Sequence, residues 1–114
     1  MQRLRNIFIW MSISYSMSNI IFEIIDKTGK KVRLTKEQWS HIRKKHPEVE
    51  NYELIEETLK KSDKITDYDL DETVLYYYKY YKHRPSHEKY LQVIVKYLNS
   101  EGYVLTAQFK PYIR

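Results

Sequence analysis

From Lys64 to Phe109 polar and apolar residues alternate with a period of two, and this constrains the fold more than any other feature of the chain. The alternation predicts strands over Lys64–Tyr68, Thr73–Lys82, Lys89–Tyr97 and Tyr103–Phe109. Asp69-Leu70-Asp71-Glu72 and Asn99-Ser100-Glu101-Gly102 supply turn residues, and 82–88, with Pro85 inside, reads as a longer polar loop. The last two strands can be placed in register. Leu91, Val93, Val95 and Tyr97 alternate on one strand; Tyr103, Leu105, Ala107 and Phe109 alternate on the next. Pairing Tyr97 with Tyr103 brings both apolar sets to one side, and a one-residue slip breaks that match. Gln92, Ile94 and Lys96 then share the opposite face with Val104, Thr106, Gln108 and Lys110.

Ahead of this meander the pattern changes. Asn19 to Leu34 reads as a β-hairpin, with Ile20, Ile21, Phe22, Ile24 and Ile25 before the turn Asp26-Lys27-Thr28-Gly29-Lys30. Thr35-Lys36-Glu37-Gln38 is a capping box that starts a helix, and Pro47 stops it. Trp39, Ile42 and His46 fall on one face of that helix. A second helix follows from about Asn51 to Lys61, glutamates at its start and lysines at its end matching the helix dipole. The expectation is one α+β domain over 19–114: one or two helices packed on a four-stranded antiparallel sheet, preceded by a hairpin.

Residues 1–18 read differently. Arg3 and Arg5 precede the run Ile7-Phe8-Ile9-Trp10-Met11, and serines follow. The run is too short to span a bilayer, and no small-x-small cleavage site follows it. This segment is expected to be a loosely ordered extension or an added strand, with Met11 or Met17 as alternative starts. No membrane association is expected. The absence of cysteine fits a cytoplasmic protein, and it removes disulfides, thiolate catalysis and Cys-based metal sites.

Two glycines leave no room for a glycine-rich phosphate loop. The net charge of +5 favours a polyanion as partner. It is unevenly spread: Glu48 to Glu57 and Asp63 to Glu72 are acidic, whereas Lys79 to Arg114 holds seven basic and two acidic residues. Tyr76-Tyr77-Tyr78-Lys79-Tyr80-Tyr81-Lys82 interleaves aromatics with cations, a pattern that can stack bases and hold phosphates, and that also suits a half-buried strand. His41, His46, His83 and His87 are the proton-transfer candidates. His41 and His46 lie about 140° apart around the helix, so they converge only if the helix ends early. His46 also fits a structural role, packing on Trp39 at the helix end. Arg84 could clamp a phosphate through its planar fork or remain a solvated loop residue. Carboxylate–histidine clusters with metal spacing are absent, and no metal or other cofactor is expected.

Trp39-Ser40-His41-Ile42 followed by Lys45-His46-Pro47-Glu48 resembles the W-x-H-I … R-H-P-E start of phage- and plasmid-associated nuclease-like domains, which are grouped with barnase, EndoU, the tRNA-cleaving colicins and RelE-type toxins. Lys45 stands where that pattern usually has Arg. The final strands around Tyr90–Val95 and Val104–Ala107 also look like the family's, so the resemblance covers about Ile21 to Phe109. It implies helices on a four-stranded antiparallel sheet, and a metal-independent, toxin-like endoribonuclease leaving a 2′,3′-cyclic phosphate. His41 and His46 would then be acid and base, one of them being allowed a structural role. Lys45, Arg84 and Lys96 would stabilise charge, and Thr106 would bind the phosphate. Arg43, Lys44, Tyr78, Lys79, Lys82 and Gln108 would contact RNA, such as tRNA or ribosome-associated mRNA. An acidic antitoxin or immunity protein would be a second partner. A non-catalytic nucleic-acid-binding or protein-interaction module is the competing expectation.

Overall fold

The computed structural model describes residues 19–113. The element order is β1 (Ile20–Ile25), β2 (Lys31–Thr35), α1 (Lys36–Lys45), α2 (Glu53–Lys61), β3 (Lys64–Tyr68), β4 (Asp71–Tyr80), β5 (Tyr90–Leu98) and β6 (Glu101–Lys110), with a 3-10 turn at Ser86–Glu88. The expected extension at 1–18 lies outside the described residues. No helix among the described residues is long and apolar enough to cross a membrane.

The expectation of a four-stranded antiparallel sheet with a separate hairpin is corrected. The sheet has six strands in the order β1-β2-β6-β5-β4-β3. Lys31, Val32 and Arg33 of β2 pair in parallel with Glu101, Gly102 and Tyr103 of β6, so the sheet is mixed. The physical reason is edge protection. Without β2, the ten-residue strand β6 would present its unpaired backbone groups to water along one side. Parallel pairing between segments some seventy residues apart leaves no local trace, so period-two reading alone does not reveal it.

The β5–β6 register is corrected as well. Leu91↔Phe109 and Val93↔Ala107 pair as the alternation predicts, but Tyr97 faces Gly102 and Lys96 faces Tyr103. Two features cause the shift. Asn99 (φ 54°) and Ser100 (φ 71°) form a two-residue turn with both central residues left-handed, which joins Leu98 to Glu101 directly. An irregularity at Ile94/Val95, opposite Leu105, then restores the original pairing further along. As a result Val104 is buried on the core side, Tyr103 moves to the other face, and Leu105 is exposed.

Both helices cover one face. α1 lies over β2 and β6, and α2 over β4 and β5. Ile42 from α1 and Ile55 and Leu59 from α2 meet Val32, Leu34, Tyr77, Leu91, Val93, Val95, Ala107 and Phe109 in one apolar cluster. Burying each such aliphatic chain stabilises the fold by about 2 kcal/mol before entropy is charged against it. Thr35 caps α1 as the sequence predicts, its hydroxyl accepting from the Gln38 N–H at 3.1 Å. The Gln38 side chain does not close the box; its amide donates to the Leu105 carbonyl and ties α1 to the irregular point of β6.

A buried polar knot fastens the β1–β2 turn to the sheet. Asp26 Oδ2 accepts from the Tyr77 and Tyr97 hydroxyls, each at 2.5 Å. Its Oδ1 accepts the N–H (2.8 Å) and hydroxyl (2.7 Å) of Thr28 and the N–H of Lys30 (3.0 Å). Burial pushes the Asp26 carboxyl up, but the donors on it outweigh burial and hold it below its usual value. Burial, reinforced by Asp26, pushes the Tyr77 and Tyr97 phenols up. Gly102 makes room for this arrangement: a Cβ there would sit 2.8 Å from the Tyr97 ring and 2.9 Å from Val95.

Candidate functional site

With the helices on one side, the other face of the sheet carries the side chains that alternate with the core. Paired residues form rows across it. Lys64, Tyr78, Gln92 and Gln108 make one row, and Thr66, Tyr76, Ile94 and Thr106 the next. Tyr80, Tyr90 and Lys110 make a third, towards the end of β6.

A cavity of about 700 Å³ opens on this face, within the range that small-molecule sites occupy. Its lining joins strand residues Thr66, Tyr76, Tyr78, Gln92, Ile94, Gln108 and Lys110 to Asp67, Tyr68, Asp69 and Leu70 of the β3–β4 hairpin. The polar members form a chain. Gln108 Nε2 donates to Gln92 Oε1 at 3.0 Å, and Gln92 Nε2 donates to the Tyr78 hydroxyl at 2.8 Å. Gln92 is 2% exposed and Tyr78 fully buried, so these contacts fix both side chains. Tyr68 stacks on Tyr76 with centroids 5.9 Å apart and planes inclined by 12°. The cavity thus joins the Gln108 amide and the Tyr68–Tyr76 aromatic pair to the Lys110 ammonium, over a floor of buried Tyr78 and Gln92.

Beside it runs a second set of charges. Lys96 Nζ donates to Asp71 Oδ2 at 2.7 Å. That bond, with two from Thr73, holds the Asp71 carboxyl down at about 2. Arg33 pairs with Glu23 and with Glu101 (2.9 Å), and its guanidinium lies 5.9 Å from the Tyr103 ring centroid. The basic open face expected from the sequence is therefore largely neutralised at Arg33 and Lys96.

The residues singled out for catalysis divide between the two faces. Lys96 and Thr106 are on the open face. His41 and Lys45 are exposed on α1, in the helix layer. α1 ends at Lys45, so His46 leaves the helix as convergence with His41 would require; its φ is −134°. Among the described residues no hydrogen bond or ion pair joins the two histidines. His46 Nδ1 instead lies 3.7 Å from Glu48, and Trp39 meets Tyr52 edge-on at 6.0 Å. Arg84 comes to the same corner. Its guanidinium donates to Glu50 (3.1 Å), the Glu48 carbonyl (3.1 Å) and Glu88 (2.6 Å), and lies 3.9 Å from the Phe109 ring centroid. Its donors hold the 82–88 loop against the segment between the helices.

The RNA-contact set divides in the same way. Tyr78 and Gln108 share the cavity. Lys79 points to the helix side, 5.3 Å from the Tyr81 ring centroid. Arg43 donates to the Pro47 (2.6 Å) and Val49 (2.8 Å) carbonyls and so braces the chain after α1. Lys44 and Lys82 are exposed. Sequence reasoning missed Gln92, Tyr68, Asp67 and Asp69 as site residues. The signal for Gln92 was present, since the period-two register already sets it opposite Gln108. Among the described residues no group of three His, Asp or Glu side chains could hold a metal ion. Comparison with family models, with curated proteins and with solved structures finds no match to the chain.

Proposed function

We propose that the protein binds single-stranded RNA on the open face of its sheet. The observation that carries this reading is the cavity in which the Gln108 amide, held by buried Gln92 and Tyr78, lies beside the Tyr68–Tyr76 stack. Unpaired bases are recognised by this combination of aromatic stacking and amide hydrogen bonds, whereas a paired duplex hides the same edges. Lys64 and Lys110 border the face and are the cations for the phosphates. The test is equilibrium binding of labelled single-stranded RNA as salt is raised, with EDTA present. Two phosphate contacts give a slope of log K against log salt of about −1.4, about 0.7 per contact. Salt-independent binding, or a preference for duplex, refutes the reading.

Metal-independent RNA cleavage is the second reading. The resemblance of Trp39–Glu48 to the nuclease-like domains motivates it, and the contact of His46 with Glu48 beside Arg84 favours it. Cleavage products ending in a 2′,3′-cyclic phosphate, lost in His46→Ala, would establish it. Intact RNA after prolonged incubation leaves binding alone.

A further inference from the structure

We infer that Tyr80 and Tyr90 form a second base-stacking subsite outside the cavity, so that one RNA strand runs along β4 from the Tyr68–Tyr76 stack to this pair; this rests on the RNA-binding reading above. Tyr80 pairs with Tyr90, and Tyr90 with Lys110, in one row of the open face. The two rings lie 5.4 Å apart between centroids, with planes inclined by 56°. The backbone beneath Tyr80 is held: its N–H donates to Asp63 Oδ2 at 2.7 Å, and the Tyr81 N–H donates to the Lys89 carbonyl at 2.7 Å. Strand preference alone accounts for the tyrosines that are buried here, Tyr77 and Tyr78. Tyr80 differs from them in being 44% exposed. A ring fixed by its backbone and its aromatic neighbour, with its surface left in water, is a platform for an unpaired base.

The spacing relates the two aromatic pairs. Tyr76 and Tyr80 stand on the same face of β4, four residues apart, which is about 13 Å. Stacked nucleotides rise about 3.4 Å along one strand, so about four steps join the pairs. Between them lies the row of Tyr78, Gln92 and Gln108. Lys110 lines the cavity and also shares the row of Tyr80 and Tyr90, so its ammonium serves the phosphates at the junction. A trimer spans only two such steps, about 7 Å, and reaches one pair. It takes the cavity, where the Gln108 amide adds hydrogen bonds to the stack. Only a longer strand engages Tyr80 as well.

The experiment is fluorescence anisotropy with end-labelled uridylate trimer and octamer on the wild type, Tyr80→Leu and Tyr80→Phe. Leu keeps an apolar strand residue and removes the ring; Phe keeps the ring. Comparing proteins at equal RNA length cancels the number of registers each RNA can adopt. Tyr80→Leu is expected to weaken the octamer about tenfold, the loss of one stacked base, and to leave the trimer within about twofold. Tyr80→Phe is expected to bind both RNAs as the wild type does, and far-UV circular dichroism of both variants to match it. Octamer affinity unchanged in Tyr80→Leu, an equal loss for both lengths, or a loss in Tyr80→Phe as large as in Tyr80→Leu overturns the inference while the RNA-binding reading stands. Absence of wild-type binding to both RNAs removes that reading and the inference with it.

Discussion

Replacing Asp26 by Ala removes the acceptor on which the β1–β2 turn and two sheet tyrosines converge. The carboxylate is 5% exposed and accepts five hydrogen bonds, two of them from the buried Tyr77 and Tyr97 hydroxyls. In the variant the two phenols still bond to each other, which leaves one hydroxyl proton without an acceptor in the core. The Thr28 and Lys30 donors sit in an exposed turn and recover water. A hydrogen bond to a charged group contributes about 1.5–3 kcal/mol and a stranded buried donor costs about 1–3 kcal/mol, so the expected loss is about 3–5 kcal/mol. That is a large share of the roughly 5–15 kcal/mol that holds a domain together. Urea unfolding followed by far-UV circular dichroism measures it. With a slope of about 1.5 kcal/mol/M the midpoint falls by about 2–3 M. Acid adds a second check. The native carboxyl lies below its usual value of 3.8, so its contribution is present above that pH and is lost as pH falls through the native value. The Ala variant lacks that contribution. A midpoint shift below 0.3 M (about 0.5 kcal/mol) would show that the knot does not hold the hairpin.

Three further outcomes follow from the same contacts. Gly102→Ala forces its new methyl against Tyr97, Val95 and Val32, and should cost about 1–3 kcal/mol in the same urea assay, although Ala is the better strand residue. Ser100→Gly relieves a left-handed residue in the β5–β6 turn and should raise stability by about 0.5–1 kcal/mol, read as a higher melting temperature. Burial raises the phenols of Tyr77, Tyr81 and Tyr97 above their usual value of 10.0, so the unfolded chain ionises first and stability should fall as pH rises beyond 10; Tyr97→Phe should shrink that alkaline loss.

Much of the fold was legible because local rules wrote it. The alternation of Lys64–Tyr68 marks β3 to the residue, and Thr35 marks the start of α1 through its hydroxyl. The pairing of Leu91 and Val93 with Phe109 and Ala107 follows from burying one face of each strand. What escaped depended on contacts between distant segments. Gly102 looks like a turn glycine but lies within β6, where the Tyr97 ring leaves no space for a Cβ. The parallel β2–β6 pairing has no periodic signal of its own. In the site, Gln92 and Gln108 were readable as partners, yet the cavity needs the β3–β4 hairpin as well, and Asp67 to Leu70 read only as a strand end and turn. The histidines attract attention for their chemistry, but periodicity cannot say which face of the sheet the helices cover. That choice sets His41 and His46 in the helix layer, away from the face that bears Lys96 and Thr106.

The most direct measurement is a map of where RNA touches the protein, by ¹H–¹⁵N chemical-shift perturbation on titration with a short single-stranded RNA. The account predicts that shifts concentrate at Tyr68, Tyr78, Gln92, Gln108 and Lys110, including the Gln92 and Gln108 side-chain amides. Shifts confined to α1 around His41 and His46, or no shifts at RNA concentrations that saturate binding, would contradict it.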